Sequence, residues 1–589
     1  MKTIKYLHLT VIITAIIFLY SCNDDFLELK PLTKLAESEA FWENESSIET
    51  FSNSFYNYID RGDILADFTS DNCEHKTSPP ALRRGVYSMP TALGSGGWNW
   101  SQLRNINYFI QNVNNSKLDP SVKNKHIALG KFFRAWFYYK KVQQFGDVPW
   151  YSQPLATSDE DLIFKPRDPR TLIVDSIRKD IDFAIRYLPV EKTKNRISKW
   201  MGLALKSRIL LYEGTYSKYH GLRDANACKV LLQEAVDASK ELMESGMYTI
   251  YSTGDPHRDY FNLFQPKDAY TEEVILARST QNQYFYYTPN FTSTSNGNYG
   301  ATYSLISDYL MSNGETFQKR YPDESKRRAL PYMDEFEDRD PRLWQTLVFP
   351  GYVRVGTSAE ALTDFNQNTT GYMIHKRVGP PIEDQGGGLR DVIMIRYAEV
   401  LLNYAEAKAE LGILTQEDLD ISVNLIRKRV NLPPLSINSP LDPYLDDYYK
   451  NTSDPMILEI RRERRVELAF EGFRTEDLKR WKEGQLFRDR YQGMYIKEFN
   501  TYIDLNNDGS PDLYVLKNNQ TPPSDRIAGV QYFRLADVAA LSEGEYGRII
   551  PYSRELPEFK DWEYLNPIPT EELTLNKMLK QNPGWDNLN

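Results

Sequence analysis

The strongest constraint on what this chain can fold into is a series of stripes in which large aromatic and small residues recur about every 3.6 positions, the period of an amphipathic helix. Leu129, Phe132, Phe133, Trp136 and Phe137 share one face of a predicted helix, with lysines and an arginine elsewhere on it. Ile173, Ile177, Ile181, Ala184, Ile185 and Leu188 form a second stripe, and Trp200, Leu203, Ala204, Ser207 and Leu211 a third. A fourth helix is predicted over 226–245. Further on, Ile393, Tyr397, Val400, Leu401, Tyr404 and Ala405 repeat the pattern, as do Leu425 with Val430 and the run Ile457 to Phe470. Gly146, Pro189, Gly246, Gly412 and Pro433 stand at helix ends, where these residues stop a helix. Consecutive stripes predict helix-turn-helix units of tetratricopeptide type, at 101–145, 170–218, 226–245 with a later partner, and 391–430. Their spacing is not the constant period of about 34 residues of that repeat. Such pairs stack, bury a shared core and present a curved surface. The expected fold class is therefore mostly α, an α–α superhelix of tetratricopeptide-like helix pairs.

The rest of the chain lacks such stripes. Residues 251–390 and 485–560 are rich in Tyr, Asn, Ser, Thr, Gly and Pro and predict a loop-rich irregular subdomain carrying short strands. The predicted organisation is a leader over 1–21, a helical region over 22–250, and a second region over 251–589 that holds both insertions and helices within 391–482. Loops held by a rigid scaffold carry binding residues disproportionately, so the insertions are the expected functional face. With 41% hydrophobic and 26% charged residues in 589, a sizeable core is affordable. The net charge of −10 argues against nucleic acid as a partner, because an acidic chain gains nothing from counterion release.

The N-terminus predicts the compartment. Lys2 and Lys5 precede an apolar run from Leu7 to Leu19, shorter than the roughly 20 residues a spanning helix needs. This pattern is that of a secretory signal peptide. Leu19-Tyr20-Ser21-Cys22 follows at once and is similar to a lipobox, in which Cys22 is lipidated and becomes the mature terminus. Tyr20 is bulkier than the usual residue there. Two or more acyl chains anchor stably, at about 0.8 kcal/mol per buried CH₂. The acidic Asn23-Asp24-Asp25 is similar to an outer-surface export signal. The expected location is the outer membrane, lipid-anchored and facing the exterior. The remaining cysteines, Cys73 and Cys228, have no metal-site spacing, and a bridge between them is possible but unsupported.

Catalytic motifs for nucleotide, serine-hydrolase and zinc-protease chemistry are missing, and the six histidines are scattered. Glu399 and Glu406 share a helix face, but two turns of helix hold them about 10 Å apart, beyond the usual glycosidase separation. The basic run Arg461-Arg462-Glu463-Arg464-Arg465 supplies partners for them, and a structural ion-pair network is the expectation. No enzyme and no catalytic cofactor are expected. One segment carries cation-ligand spacing: Asp504, Asn506, Asp508, Ser510 and Asp512 match D-x-[DN]-x-[DN]-G with Gly509 at the turn. Val515 stands where a bidentate Glu is usual. Two readings remain for it, a structural Ca²⁺ loop or an Asx-rich turn without metal.

Aromatic side chains in Gly- and Asn-rich loops are the candidate binding residues, since the C–H faces of sugar rings stack on aromatic planes while polar groups read hydroxyls. Trp98 and Trp100 lie in Ser95-Gly96-Gly97-Trp98-Asn99-Trp100, where they either stack on a ligand or cap the helix that follows. Tyr284, Tyr286, Tyr287, Phe291 and Tyr299 lie in a polar stretch with little amphipathic periodicity.

Four segments together carry a family resemblance. Asp25-Phe26-Leu27-Glu28 stands before Pro31, and Lys131-Phe132-Phe133-Arg134-Ala135-Trp136-Phe137-Tyr138-Tyr139 leads to Phe145-Gly146-Asp147-Val148-Pro149. Glu463-Arg464-Arg465-Val466-Glu467-Leu468-Ala469-Phe470-Glu471-Gly472-Phe473-Arg474 leads to Asp477-Leu478 and Arg480-Trp481. Tyr564-Leu565-Asn566-Pro567-Ile568-Pro569 leads to Gln581-Asn582-Pro583-Gly584-Trp585. Over nearly the whole mature chain this resembles the SusD/RagB family of surface lipoproteins. The resemblance implies four tetratricopeptide-like helix pairs with an irregular glycan-binding face and no catalysis. It implies a SusC-like TonB-dependent outer-membrane transporter as partner, with this chain as a lid over the barrel. It does not assign a ligand, and a peptide- or glycoprotein-binding subunit, a non-binding helical adaptor and a hydrolase stand as the competing functions.

Overall fold

The computed structural model describes residues 38–59, 67–75, 78–278, 299–383 and 391–587. The leader, Cys22, and the candidates Tyr284, Tyr286, Tyr287 and Phe291 lie outside the described residues.

The molecule is mostly helical. After α1 (Glu45–Asn53), the stack is built from α2 (Ser101–Asn115), α3 (Pro120–Phe145), α4 (Arg170–Tyr187), α5 (Lys199–His220) and α6 (Ala225–Glu244). It continues with α7 (Tyr397–Glu410), α8 (Val423–Arg429), α9 (Pro455–Glu467) and α10 (Arg474–Arg480). The ends are set locally. Asp119 caps α3 by accepting the Ser121 N–H at 2.8 Å ahead of Pro120, whose missing N–H is an orphan there anyway. Asp454 caps α9 in the same way, ahead of Pro455. Gly146, at φ +70°, ends α3 in a backbone conformation that favours glycine.

Helix α2 packs on α3, α3 on α4, and α5 on α6. The later partner of the 226–245 helix is α7, which α6 meets across more than 150 residues of intervening chain. One continuous core runs through the stack, from Trp42 and Phe55 through Phe132 and Leu210 to Leu401 and Ile460. Two of the basic residues of α3 are drawn into the interior. Arg134 is buried and pairs with Asp180 at 2.6 Å, and Lys141 is buried and donates to the Gly97 carbonyl. Helices pack on α3 from both sides, so these two cations find their partners inside.

Short strands build the irregular side. Strand β1 (Cys73–His75) pairs antiparallel with β3 (Tyr299–Ala301), and β2 (Val274–Arg278) with β4 (Val392–Arg396), which runs directly into α7. A β5–β10–β9 sheet joins Tyr495–Ile496, Gly547–Ile550 and Ala540–Leu541. Strands β6 (Tyr502–Ile503), β7 (Leu513–Leu516) and β8 (Gln531–Arg534) form another, with β7 and β8 parallel. These strands surround a second core that includes Tyr309, Leu343, Tyr372, Met494, Leu513 and Ile549. Both remaining cysteines are buried free thiols, so no Cys73–Cys228 bridge joins the two sides. Among the described residues no helix is long and apolar enough to cross a membrane.

Candidate ligand-binding cleft

The two sides of the molecule are joined by buried charge. Glu463, Arg464, Arg465 and Glu467 on α9, with Glu471 and Arg474 after it, are all nearly inaccessible. Arg396 bonds Glu467, Glu273 and Glu471 at 2.7 Å each, Arg342 bonds Glu463 at 2.6 Å, and Arg465 bonds Asp308 at 2.6 Å. These arginines hold the carboxyls of Glu467 and Glu471 low against the opposing cost of burial, Glu471 at about 2. The ion-pair reading of Glu399 and Glu406 holds with different partners. Glu399 pairs with Arg208 of α5 at 2.6 Å, and Glu406 with Arg480 of α10 at 2.7 Å and with the Trp481 indole N–H at 2.8 Å. Of the basic run only Arg464 approaches Glu406, at 4.0 Å.

Against this rigid joint lies a cleft of about 560 Å³. The short helix Pro443–Tyr448 lines one wall with Tyr444 and Tyr448, their ring centroids 5.8 Å apart and their planes 30° from parallel. The Tyr448 hydroxyl donates to Asp71 at 2.6 Å, which fixes the ring. Tyr303 and Tyr491 also line the cleft, each with a guanidinium on its ring, Arg548 at 3.4 Å and Arg83 at 3.7 Å. The Tyr303 N–H donates to the Gln492 carbonyl at 2.7 Å and ties the two walls together. Next to it, a Cβ on Gly493 would lie 2.3 Å from the Thr370 carbonyl oxygen, so only glycine lets the chain pass there. Gln318, Arg327, Asp447, Asp489, Arg490 and Gln492 supply donors and acceptors around the tyrosines.

A second cleft of about 560 Å³ adjoins the first and shares Gln318, Pro443 and Tyr444 with it. A third, of about 620 Å³, lies apart between Tyr248–Pro256 and the end of α8. Its tyrosines, Tyr248 and Tyr397, are buried and offer no open ring face. Among these three clefts, the tyrosine-lined one sets three half-buried rings, Tyr303, Tyr444 and Tyr448, among polar groups, the chemistry that small-ligand sites use.

The sequence candidates fare unevenly. Trp98 is only 2% exposed and sits edge-on to Phe145 at 4.8 Å and to Trp100 at 5.4 Å. It belongs to the stack core, which corrects its reading as a ligand-stacking residue. Trp100 is half-buried against Phe137, Tyr138 and Tyr151, with the Lys141 ammonium 5.5 Å from its ring. Tyr299 is half-buried, stacked on Phe68 at 4.5 Å and edge-on to His75. None of the three lines the tyrosine cleft. The cleft tyrosines carry little signal in sequence, since Tyr444 and Tyr448 stand one helical turn apart among aspartates, the pattern of a solvated helix face. The usable signal was Asp442-Pro443-Tyr444, a cap that starts a helix and fixes where its rings point.

In the calcium-like loop every predicted ligand side chain that carries a carboxylate or amide accepts a backbone N–H. Asp504 accepts from Gly509 at 2.8 Å, Asn506 from Asp508 at 3.2 Å, Asp508 from Ser510 at 2.7 Å and Asp512 from Leu505 at 2.8 Å. Glu360, from a separate loop, accepts from the Asn506 amide at 3.1 Å. Burial first, and then the charges of Asp508, Asp504 and Glu360, push the Asp512 carboxyl up.

Fold and cleft define a class: a helical-repeat scaffold that carries an irregular face with ligand-sized clefts. Residues 267–585 match the SusD family, and residues 97–211 match a SusD-like family described as starch-binding and associating with the outer membrane. The chain belongs to the SusD family. It is 24% identical over 509 residues to a SusD-like protein of Formosa agariphila, spanning 82% of this chain and 92% of that protein. A SusD-like protein of Bacteroides fragilis superposes with a TM-score of 0.67 at 22% identity, over 94% of this chain and 99% of that one. A SusD-like carbohydrate binding protein of the same organism superposes equally well, with a TM-score of 0.67 at 21% identity, over 92% and 100%. At these identities the structures bear on the fold alone.

Proposed function

We propose that this protein is a surface glycan-binding subunit that captures oligosaccharide in the tyrosine-lined cleft and delivers it to a SusC-like TonB-dependent transporter. In this reading the lipid on Cys22 holds it to the outer membrane, facing out. The observation that carries the proposal is the Tyr444–Tyr448 pair, set among amide and charged side chains in a cleft of about 560 Å³. Two structural neighbours support it by name, the carbohydrate binding protein of Bacteroides fragilis and a surface glycan-binding protein A of Bacteroides fluxus, the latter 17% identical with a TM-score of 0.57. Binding rather than hydrolysis is favoured because Glu399 and Glu406, the paired carboxylates on one helix, are both committed to arginines. For the 504–512 loop we propose a structural Ca²⁺, on the ground of its D-x-[DN]-x-[DN]-G spacing of oxygen ligands.

The test is affinity electrophoresis of the protein against a panel of polysaccharides, followed by the Tyr444→Ala and Arg490→Ala variants. One polysaccharide class should retard the protein, and Tyr444→Ala should weaken that binding by up to about tenfold, with thermal unfolding unchanged. That is the loss expected from an aromatic contact of about 0.5–1.5 kcal/mol. Release of new reducing ends would instead establish a hydrolase. Retardation that neither variant alters would move the site away from this cleft, and binding of peptides alone would replace the glycan reading.

A further inference from the structure

A cluster far from the cleft has metal-ligand chemistry. Glu45 and Glu49 stand one turn apart on α1, and His126 faces them from α3. One donor atom from each lies within 4.8 Å of the other two. His126 is not a surface residue: its side chain is 3% exposed, and its Nε2 is 3.1 Å from Glu45 Oε1. A cation already occupies the space between the carboxylates, because the Lys125 ammonium lies 2.9 Å from Glu45 and 3.6 Å from Glu49. We propose that Glu45, Glu49 and His126 form a binding site for a divalent transition metal of the Zn²⁺ type, which clips α1 to α3.

The helices that carry the donors are held by packing rather than by the metal. Helix α1 buries Ile48, stacks Phe51 on Phe109 at 5.9 Å, and is followed by Phe55 packed on Phe133 at 5.7 Å. Helices already docked spare the metal part of the cost of assembling the site. One imidazole nitrogen and two carboxylate oxygens suit Zn²⁺, Co²⁺ or Ni²⁺, whereas Ca²⁺ and Mg²⁺ prefer all-oxygen sets. Three protein ligands leave a tetrahedral Zn²⁺ one position for water. The charge also balances. Two carboxylates and a neutral imidazole around Zn²⁺ form a neutral group, and the Lys125 ammonium, 43% exposed on its flexible stem, moves into water.

Zinc titration by calorimetry and cobalt absorption on the purified protein test the site. One ion should bind per chain, and Co²⁺ should give visible ligand-field bands. Glu49→Gln, an exposed change that leaves the fold intact, should weaken binding by at least about tenfold, since losing even a residue that only orients a ligand costs about that much. Lys125→Met should tighten it, because the competing ammonium is gone. If the wild type and Lys125→Met bind no better than an E45Q/E49Q double variant, the site does not exist. Binding that survives both Glu49→Gln and His126→Gln would place the metal elsewhere and equally overturn the proposal.

Discussion

Arg396 shows what single residues do here. Its guanidinium reaches three carboxylates and the Glu467 carbonyl, and it is 1% exposed. Removing one partner of a buried pair leaves the other charge uncompensated, at a cost of about 3–5 kcal/mol. Arg396→Met takes one cation from Glu273, Glu467 and Glu471 at once, leaving them Arg429, Arg342 and Lys376, so urea denaturation should show a loss within about that range. A loss under about 1 kcal/mol would mean that the three carboxylates find other partners and that Arg396 is not the hub. Arg461, on α9, is a different solution. Its guanidinium has no hydrogen bond and lies against the rings of Trp481 at 4.4 Å and Tyr219 at 5.2 Å. The residue pattern of α9 was legible, and an ion-pair network was inferred from it. Which arginine meets which glutamate was not, because partners such as Arg208 and Arg342 lie more than a hundred residues away.

At the scale of elements, the two C-terminal motifs and the corner after α3 are one structure. The Asn566 N–H donates to the Gln144 carbonyl at 2.6 Å, and the Asn582 amide donates to the carbonyls of Phe145 and Asn566 at 3.2 and 2.7 Å. Segments that read separately in sequence are thus a clamp that closes the end of α3. The 504–512 loop is the element whose occupancy is open to measurement. If Ca²⁺ binds there, millimolar Ca²⁺ should raise the unfolding temperature, EGTA should reverse the rise, and Asp508→Asn should abolish it. Glycan binding should be unaffected throughout, since the loop lines none of the three clefts. An unfolding temperature indifferent to Ca²⁺ would leave the loop as an Asx-rich turn held by its own backbone bonds.

The molecule as a whole should be sensitive to acid. Glu406 and Glu471 titrate near 2 in the folded state because arginines surround them, against about 4.3 in an unfolded chain. Their folded pKa values are depressed, so their contribution is complete above about 4.3 and is lost as pH falls toward 2. Circular dichroism across that window should show cooperative loss of helix at pH values where surface carboxylates alone would have little effect. Stability that stays flat down to pH 2 would contradict the assigned charge states. The joint that fails is the one between the helical stack and the irregular side, since Glu471 bridges Arg396 on β4 and Lys376 in the irregular region.

The sequence by itself determined the helical stack, because apolar periodicity, caps and glycine stops are local properties that each helix carries in its own residues. It also determined the family, through motifs whose side chains are scaffold and therefore recognisable. Only the tertiary structure decided which rings line a cleft. Trp98 and Tyr444 are both aromatics in polar surroundings, and nothing within a few residues of either tells a core ring from an exposed one. Burial depends on what folds over a residue: Phe145 closes over Trp98, whereas the segments around Tyr303 and Tyr491 approach Tyr444 and leave a cleft between them.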